Sequence, residues 1–562
     1  MRRLRALGLS TMTLGYAMIL CGFNPAYHLR NHNTMVAVIG LCVAGLGISF
    51  IERGGGDSKT RFLISLATFF TWSVVVGYGV VHHVFWRDEV RALTLSIEPR
   101  SIWSVPAAIH GEGHPALWYL LLAAAYKIAH TPLVLPLVSA TVAAAAIVIF
   151  LARNTLPWWW TPFFVFSAGP VYEYSVMARN YGISMLLMFL FAVAYLGRKQ
   201  SAILIGAILF LLAQTNVHSA LLVPIFLGIW LWHWARDKSN KAYTVSTSSV
   251  TAGILLACAG ILVAFLTVYP THMTAVTDTA TGKISIGSAV ATAILNPGLH
   301  YGHMLHLPPR AITVILYLAT LGLIVDLPLF LASIAGLWVH CVFFGLVYGA
   351  AHHHQLLWPT FLITLFWLRF SPTTRTSKDH AIRGYLPMLS KYAAALVPLI
   401  FAANSIYGFR AIDRDNRQPA SESRDFAKFL SSSPSLRDAI VIPEPEFIGE
   451  AIPYYASNDI YLVREEKFGK IATWSRESRH DLRLSSFLEA AKNLKAKTGR
   501  PVVILMEFPP IPADVGKTIE VGFGWRISYT ENELRDFTAA TEKIASERES
   551  TLDENFDVYL VK

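Results

Sequence analysis

The sequence predicts a polytopic α-helical membrane protein that ends in a soluble α/β domain. Three observations carry this. Of its 562 residues, 54% are hydrophobic and 15% charged, against roughly 25% charged in an ordinary soluble domain. Apolar runs approaching the roughly 20 residues needed to cross a bilayer recur as far as residue 408. From residue 409 onward, amphipathic helical stretches alternate with short β-rich ones, the pattern of an α/β unit.

In chain order the apolar runs are 8–23, 34–51, 62–84, 133–152, 157–172, 180–197, 202–215, 217–234, 246–269, 311–325, 327–349, 356–370 and 393–408, about 13 expected spans. The opening "MRRLRALGLSTMTLGYAMIL" has no clear small-residue cleavage site after it and reads as a retained first span. Lys and Arg orient the rest, because short basic loops stay on the cytoplasmic side. With "MRRLR" inside, "ERGGGDSKTR" (52–61), "GRKQ" (197–200), "ARDKSNK" (235–241) and "RFSPTTRTSKDHAIR" (369–383) all fall inside on one condition. The stretch "HPALWYLLLAAAYKIAH" (114–130) must not cross. It carries Lys127 and is short, so it is expected to lie as an amphipathic helix in the outer interface. The expected organisation is two extra N-terminal spans in 1–61 and a membrane domain over 62–408. Its outer loops are 85–132 and 270–310, and residues 409–562 form an outer α/β domain.

The net charge of +10 is explained by these inner loops, and no basic-aromatic surface module points to nucleic acid. The 15 Trp and 22 Tyr suit interfacial belts. Cys21, Cys42, Cys258 and Cys341 lie in apolar runs with no CxxC, which argues against a redox pair or a thiolate metal site. In the tail, "SRDFAKFLSS" and "DLRLSSFLEAAKNLKAK" read as helices, and "DAIVI", "NDIYLV", "RPVVILMEF" and "FDVYLV" as strands. "VGFGWR" (521–526) lacks the spacing of a dinucleotide-binding turn.

The candidate site residues all fall, by parity, on the outer face. "WRDE" brings Arg87, Asp88 and Glu89 to the water end of span 62–84, either as a solvated cap or as carboxylates with chemistry to do. "IHGEGHPALW" places His114 at a turn before the interfacial helix. "PVYEYSVMARNYG" supplies Glu173, Tyr174, Arg179 and Tyr181; Arg179 could pair with Glu173 or grip a phosphate bidentately. "QTNVHSA" carries Asn216 and His218, and "YGAAHHHQLLW" carries His352, His353 and His354. His300, His303 and His306 in the long loop make a metal tempting, yet no HExxH-like spacing supports one, and interfacial polarity is the plainer reading. No cofactor is required on this reading, and a divalent metal is left open but unsupported. One shared outer cavity is the economical hypothesis.

A span ending in Asp-Glu, a large first outer loop and then "GHPALWYLLL" resemble the GT-C glycosyltransferases, specifically the protein O-mannosyltransferase and aminoarabinose transferase superfamily. "EYSVMARNYG" and "LLAQTNVHS" look like a bacterial branch of it. The resemblance covers roughly residues 62–410. It implies a GT-C fold, a polyprenyl-phosphate sugar donor, transfer on the periplasmic side of the bacterial inner membrane, and Asp88 as the catalytic carboxylate. It also implies an envelope glycan or glycolipid acceptor, such as lipopolysaccharide. The chain departs from the pattern at Ala116, where a second Pro is usual, and at "HHHQ", where Arg is usual. On this reading Asp88 is the base, Glu89 positions it or the acceptor, and Arg179 holds the lipid phosphate with help from His352 to His354. Direct displacement would invert the anomeric centre. A transporter or flippase of lipid-linked sugars is the rival, but it would sooner show internal repeats and a mid-membrane site.

Overall fold

A computed structural model of the protein describes residues 1–23, 33–197, 202–239, 245–269, 284–371, 385–473 and 477–562. The first part of the long outer loop (270–283) and parts of the expected inner loops (198–200, 240–241 and 372–383) lie outside the described residues. The protein is mostly helical and carries a strand-containing C-terminal domain. Among the described residues, eight helices are long and apolar enough to cross a membrane: Arg3–Gly22, Asn33–Arg53, Ser58–His82, Val134–Arg153, Val217–Ser239, Thr247–Val268, Leu327–Leu346 and Tyr385–Arg417. The other apolar runs form shorter helices, among them Tyr181–Leu196, Ala202–Ala213 and Pro309–Leu321.

The first two helices pack back to back because glycine lets their backbones touch. A Cβ added at Gly15 would stand 2.3 Å from the Ala44 nitrogen, and one at Gly47 2.4 Å from the Met12 nitrogen. The third helix starts at a built cap, where the Asp57 side chain accepts from the Thr60 N–H at 2.8 Å. Its 25 residues span about 37 Å at 1.5 Å per residue. Polar contacts collect at the two ends of the bundle. At one end, which we call the far face, Arg5 meets Asp57 (3.2 Å), Arg61 donates to the Asn154 carbonyl (2.5 Å) and Trp158 N–H donates to Glu52 (3.1 Å). At the other, the near face, lie His83, Asp88, Glu173, Asn216 and Asp415.

The helix Leu117–Ala129 has 13 residues, about 20 Å, too short for a hydrocarbon core of roughly 30 Å. Its first N–H donates to the Gln214 carbonyl at 3.1 Å. The next helix begins on the same face, with Ser139 donating to the Ser175 carbonyl at 3.0 Å. The segment therefore starts and finishes at the near-face end of the bundle.

The run expected as a single span at 157–172 is broken. It forms a helix Trp160–Val165, a π turn Gly169–Glu173 and irregular chain to Asn180. Irregular backbone at membrane depth survives only where protein satisfies its hydrogen bonds. Here the Ala168 N–H donates to Asn404 Oδ1 (3.1 Å), the Ala178 N–H to Glu89 Oε1 (2.6 Å), and the Val176 and Met177 N–H groups to the Tyr172 carbonyl (2.9 and 3.0 Å).

The last long helix, Tyr385–Arg417, runs straight through the boundary expected at 408–409. Its final turns carry Asp415 into the near face, so the C-terminal domain starts later, with the helix Ser423–Ser432. That domain holds a four-stranded sheet in the order Ile440–Glu444, Val502–Met506, Phe556–Val561, Thr541–Glu547. The first pair is parallel, joined through the helix Leu484–Thr498, and the other two pairs are antiparallel. "VGFGWR" is the tip of the hairpin Thr518–Gly522/Trp525–Ser528, with Gly522, Phe523 and Gly524 at φ of +111°, +52° and +78°. It is a turn and not a phosphate loop. The helix Glu531–Ala540 and the strand after it went unread in the sequence, although Thr530 and Glu533 form a capping box.

Candidate active site at the near face

The helix Arg87–Ile97 leaves the membrane end of Ser58–His82 and places Asp88 and Glu89 in its first turn. Carboxylates there are favoured by the unpaired N–H groups of the helix start. The two then diverge, because neighbours in a helix point about 100° apart. Glu89 is fully buried, and its oxygens accept from Ala178 N–H (2.6 Å), Trp86 N–H (3.2 Å) and His83 Nε2 (2.9 Å). Asp88 keeps 32% of its side chain exposed and faces Arg179 (3.3 Å) and Arg87 (3.4 Å).

Glu89 is therefore a brace. It ties the helix start to the backbone one residue before Arg179, and has no oxygen left for a substrate. His83 lies between Glu89 and Asp415 Oδ2 (2.6 Å), with both ring nitrogens facing carboxylates, so it donates to each as an imidazolium. Tyr172 O–H donates to the same Asp415 oxygen at 2.7 Å.

Arg179 does not pair with Glu173. One guanidinium nitrogen meets Asp88 and the other donates to His353 Nε2 at 3.3 Å. Arg cannot accept a hydrogen bond, so His353 Nε2 is the unprotonated nitrogen. Its Nδ1–H then faces Glu173 Oε2 at 3.6 Å. The other Glu173 oxygen takes His352 Nδ1 at 3.0 Å, and the His352 ring lies on Tyr407 with centroids 3.6 Å apart. The resulting line runs Asp88, Arg179, His353, Glu173, His352. The rings of Trp86 and Tyr181 flank the guanidinium at 6.0 and 5.6 Å.

Beside this line sit buried polar atoms with no partner among the described residues: Tyr181 Oη, His114 Nδ1 and both ring nitrogens of His218. His218 stacks on His354 at 4.5 Å, and His354 in turn neighbours Tyr181 at 5.6 Å. His354 Nδ1 accepts from the Ala351 N–H (3.1 Å), and Tyr174 O–H donates to the His353 carbonyl (3.0 Å), so both also shape the turn. Asn216 is committed to packing. It donates to Ser184 (2.8 Å) and caps the Ser219 N–H (2.9 Å) at the start of Val217–Ser239. His303 and His306 are exposed on the loop. Among the described residues no three His, Cys, Asp or Glu side chains stand together as a metal site.

Arg87 is used by the C-terminal domain. Its N–H donates to Glu554 (2.6 Å), its guanidinium meets Asp553 (2.5 Å), and it lies over the Phe447 ring at 4.6 Å. One turn on, Arg91 forks onto Glu112 (2.8 and 2.7 Å) and reaches Glu450 (2.6 Å). The helix bearing Asp88 is thus clamped between the membrane bundle and the C-terminal domain. His83, Arg91, Glu112, Glu450, Glu554 and Asp415 went unread as a set. His83 stands six residues before Glu89 and Glu112 lies within "IHGEGHPALW", while Asp415, Glu450 and Glu554 come from more than 300 residues away and carry no motif.

Charge follows this geometry. Burial alone would raise the Asp88 carboxyl, but the Arg179 and Arg87 guanidiniums outweigh it and hold it below the usual carboxylate range. Burial, aided by the Arg179 charge, pushes His114 down to about 4, so it is neutral at pH 7. Burial pushes Glu450 up to about 7 and Glu554 to about 8.

Compared by sequence, the chain matches no protein-family model and no curated protein. By structure it is similar to ArnT from Cupriavidus metallidurans, whose crystal structure has undecaprenyl phosphate bound, at TM-score 0.42 and 11% identity. The match covers 90% of this chain and 98% of that one.

Proposed function

We propose that this protein is an integral-membrane glycosyltransferase that moves a sugar from a polyprenyl-phosphate donor, of the undecaprenyl kind, to an envelope glycan or glycolipid on the periplasmic side of the inner membrane. The observation that carries the reading is the contrast between two adjacent carboxylates. Glu89 is buried and fully bonded, while Asp88 is ionised, a third exposed, and held against a cation.

Asp88 accepts the proton of the acceptor hydroxyl as that oxygen bonds to C1 of the sugar. The bond from C1 to the phosphate oxygen breaks, its electron pair stays on the lipid phosphate, and the anomeric centre inverts. Arg179 meets the charge that grows on the leaving phosphate, and neutral His353 fixes the guanidinium from behind. Arg87, caught between Asp88 and the outer domain, sets the position of the base. Tyr181, His114 and His218 bring unspent hydrogen-bonding capacity, which suits the hydroxyls of a sugar. The orientation rests on the excess of Lys and Arg in the short loops expected inside.

The test is turnover. Purified full-length protein in lipid nanodiscs is given a panel of polyprenyl-phosphate sugars with envelope glycolipid acceptor, and lipid phosphate release is measured for wild type and Asp88→Asn. Release with at least one donor, abolished by Asp88→Asn, supports the reading. Donor lipid moved between leaflets by wild type with no sugar transferred would put a flippase in its place.

A further inference from the structure

A second pocket lies at the far face, and its lining points to a different ligand. Arg53 closes the helix Asn33–Arg53, Arg369 the helix Leu357–Phe370, and Lys391 stands in the second turn of Tyr385–Arg417. These three far-face ends surround an open pocket of about 560 Å³ that Trp159, Tyr392 and Ala395 also line. Among the described residues, none that lines it is acidic. The volume falls in the range of ordinary ligand sites, roughly 300–1,000 Å³.

From this juxtaposition of three cations, interfacial aromatic rings and an apolar wall at one membrane boundary, we infer that the pocket holds the headgroup of an anionic bilayer phospholipid. The phosphate diester meets Arg53 and Lys391, and the acyl chains run down the wall beside Ala395. Charges that only orient a protein in the membrane need no hollow between them. Here they ring one, with Trp and Tyr at headgroup depth, and basic pockets between membrane helices are where anionic headgroups settle. The site lies at the end of the bundle away from Asp88, so the inference stands whether or not the near face transfers sugar.

Native mass spectrometry of the full-length protein, titrated with phosphatidylglycerol or phosphatidylcholine in detergent, tests it. Phosphatidylglycerol should be retained preferentially. Arg53→Gln and Lys391→Gln should each lower its affinity about fivefold, and Ala395→Trp, which fills the pocket without changing charge, should lower it as well. Lys59→Gln, an exposed far-face cation outside the pocket, should leave it unchanged. A melt of each variant excludes misfolding. Equal retention of both lipids, equal loss with Lys59→Gln, indifference to Ala395→Trp, or displacement of the lipid by millimolar inorganic phosphate would each overturn the proposal. The last outcome would make this a soluble-phosphate site.

Discussion

Asp88→Asn keeps the side-chain volume and removes the charge that the proposed chemistry needs. Without a base, transfer should fall about 100-fold or more, which corresponds to about 2.7 kcal/mol of barrier. The effect on folding should be far smaller. Asp88 is 32% exposed and its contacts to Arg179 and Arg87 are 3.3 and 3.4 Å, so screening limits each pair to about 1 kcal/mol or less. The Asn carbonyl can still accept from Arg179. Glu89→Gln reverses the balance. The fully buried carboxylate serves the Ala178 and Trp86 N–H groups and the His83 ring, and an amide must turn an NH₂ toward one of those donors. A buried donor left facing a donor costs about 1–3 kcal/mol. The melt should therefore drop, while turnover per folded molecule falls less than in Asp88→Asn. The assay is sugar transfer from lipid-linked donor in nanodiscs, normalised to folded protein, beside a thermal melt of each variant. Turnover of Asp88→Asn within about threefold of wild type, with an unchanged melt, would refute the reasoning and reduce "WRDE" to a boundary charge.

Three further outcomes follow from the same geometry. Arg179→Lys keeps the charge but not the fork that reaches both Asp88 and His353, so lipid-phosphate affinity, measured by competition with polyprenyl phosphate, should fall roughly 10- to 150-fold, the equivalent of about 1.5–3 kcal/mol; unchanged competition would make the residue a packing partner only. Glu446, Glu450 and Glu554 are pushed by burial from 4.5 to about 8, 7 and 8, so the folded domain holds protons that the unfolded chain has lost. The stability these protons confer is present at low pH and lost as pH rises from about 4.5 to about 8, by up to about 1.4 kcal/mol per pH unit for each group. Melts from pH 5 to 9 should decline and then level, and Glu446→Gln should flatten the slope; a rising melt temperature would contradict the sign. Lys470→Cys, in a variant with the four native cysteines replaced, should react with an impermeant thiol reagent in intact spheroplasts; labelling only after lysis would invert the orientation.

The sequence by itself determined the architecture. Apolar runs, basic loops and the change of pattern after the last span are local properties, and water and lipid sort them without reference to partners. For the same reason the helix Ser423–Ser432 and the strand Phe556–Val561 were legible from their periodicity. The tertiary structure decided the roles within the site. Asp88 and Glu89 are indistinguishable as letters, and only the irregular chain at 174–180, which needs a buried acceptor for Ala178, makes one a brace and leaves the other open. Arg179 could have paired with Glu173 six residues before it. It instead meets Asp88, because Glu173 is already taken by His352 and His353 from a turn some 180 residues on. The hold of Glu450 and Glu554 on the Asp88 helix was equally silent, since a contact between distant segments leaves no periodicity and no spacing to read. Burial decides whether a charge is solvated, paired or free to react, and burial is fixed only when the whole chain has packed.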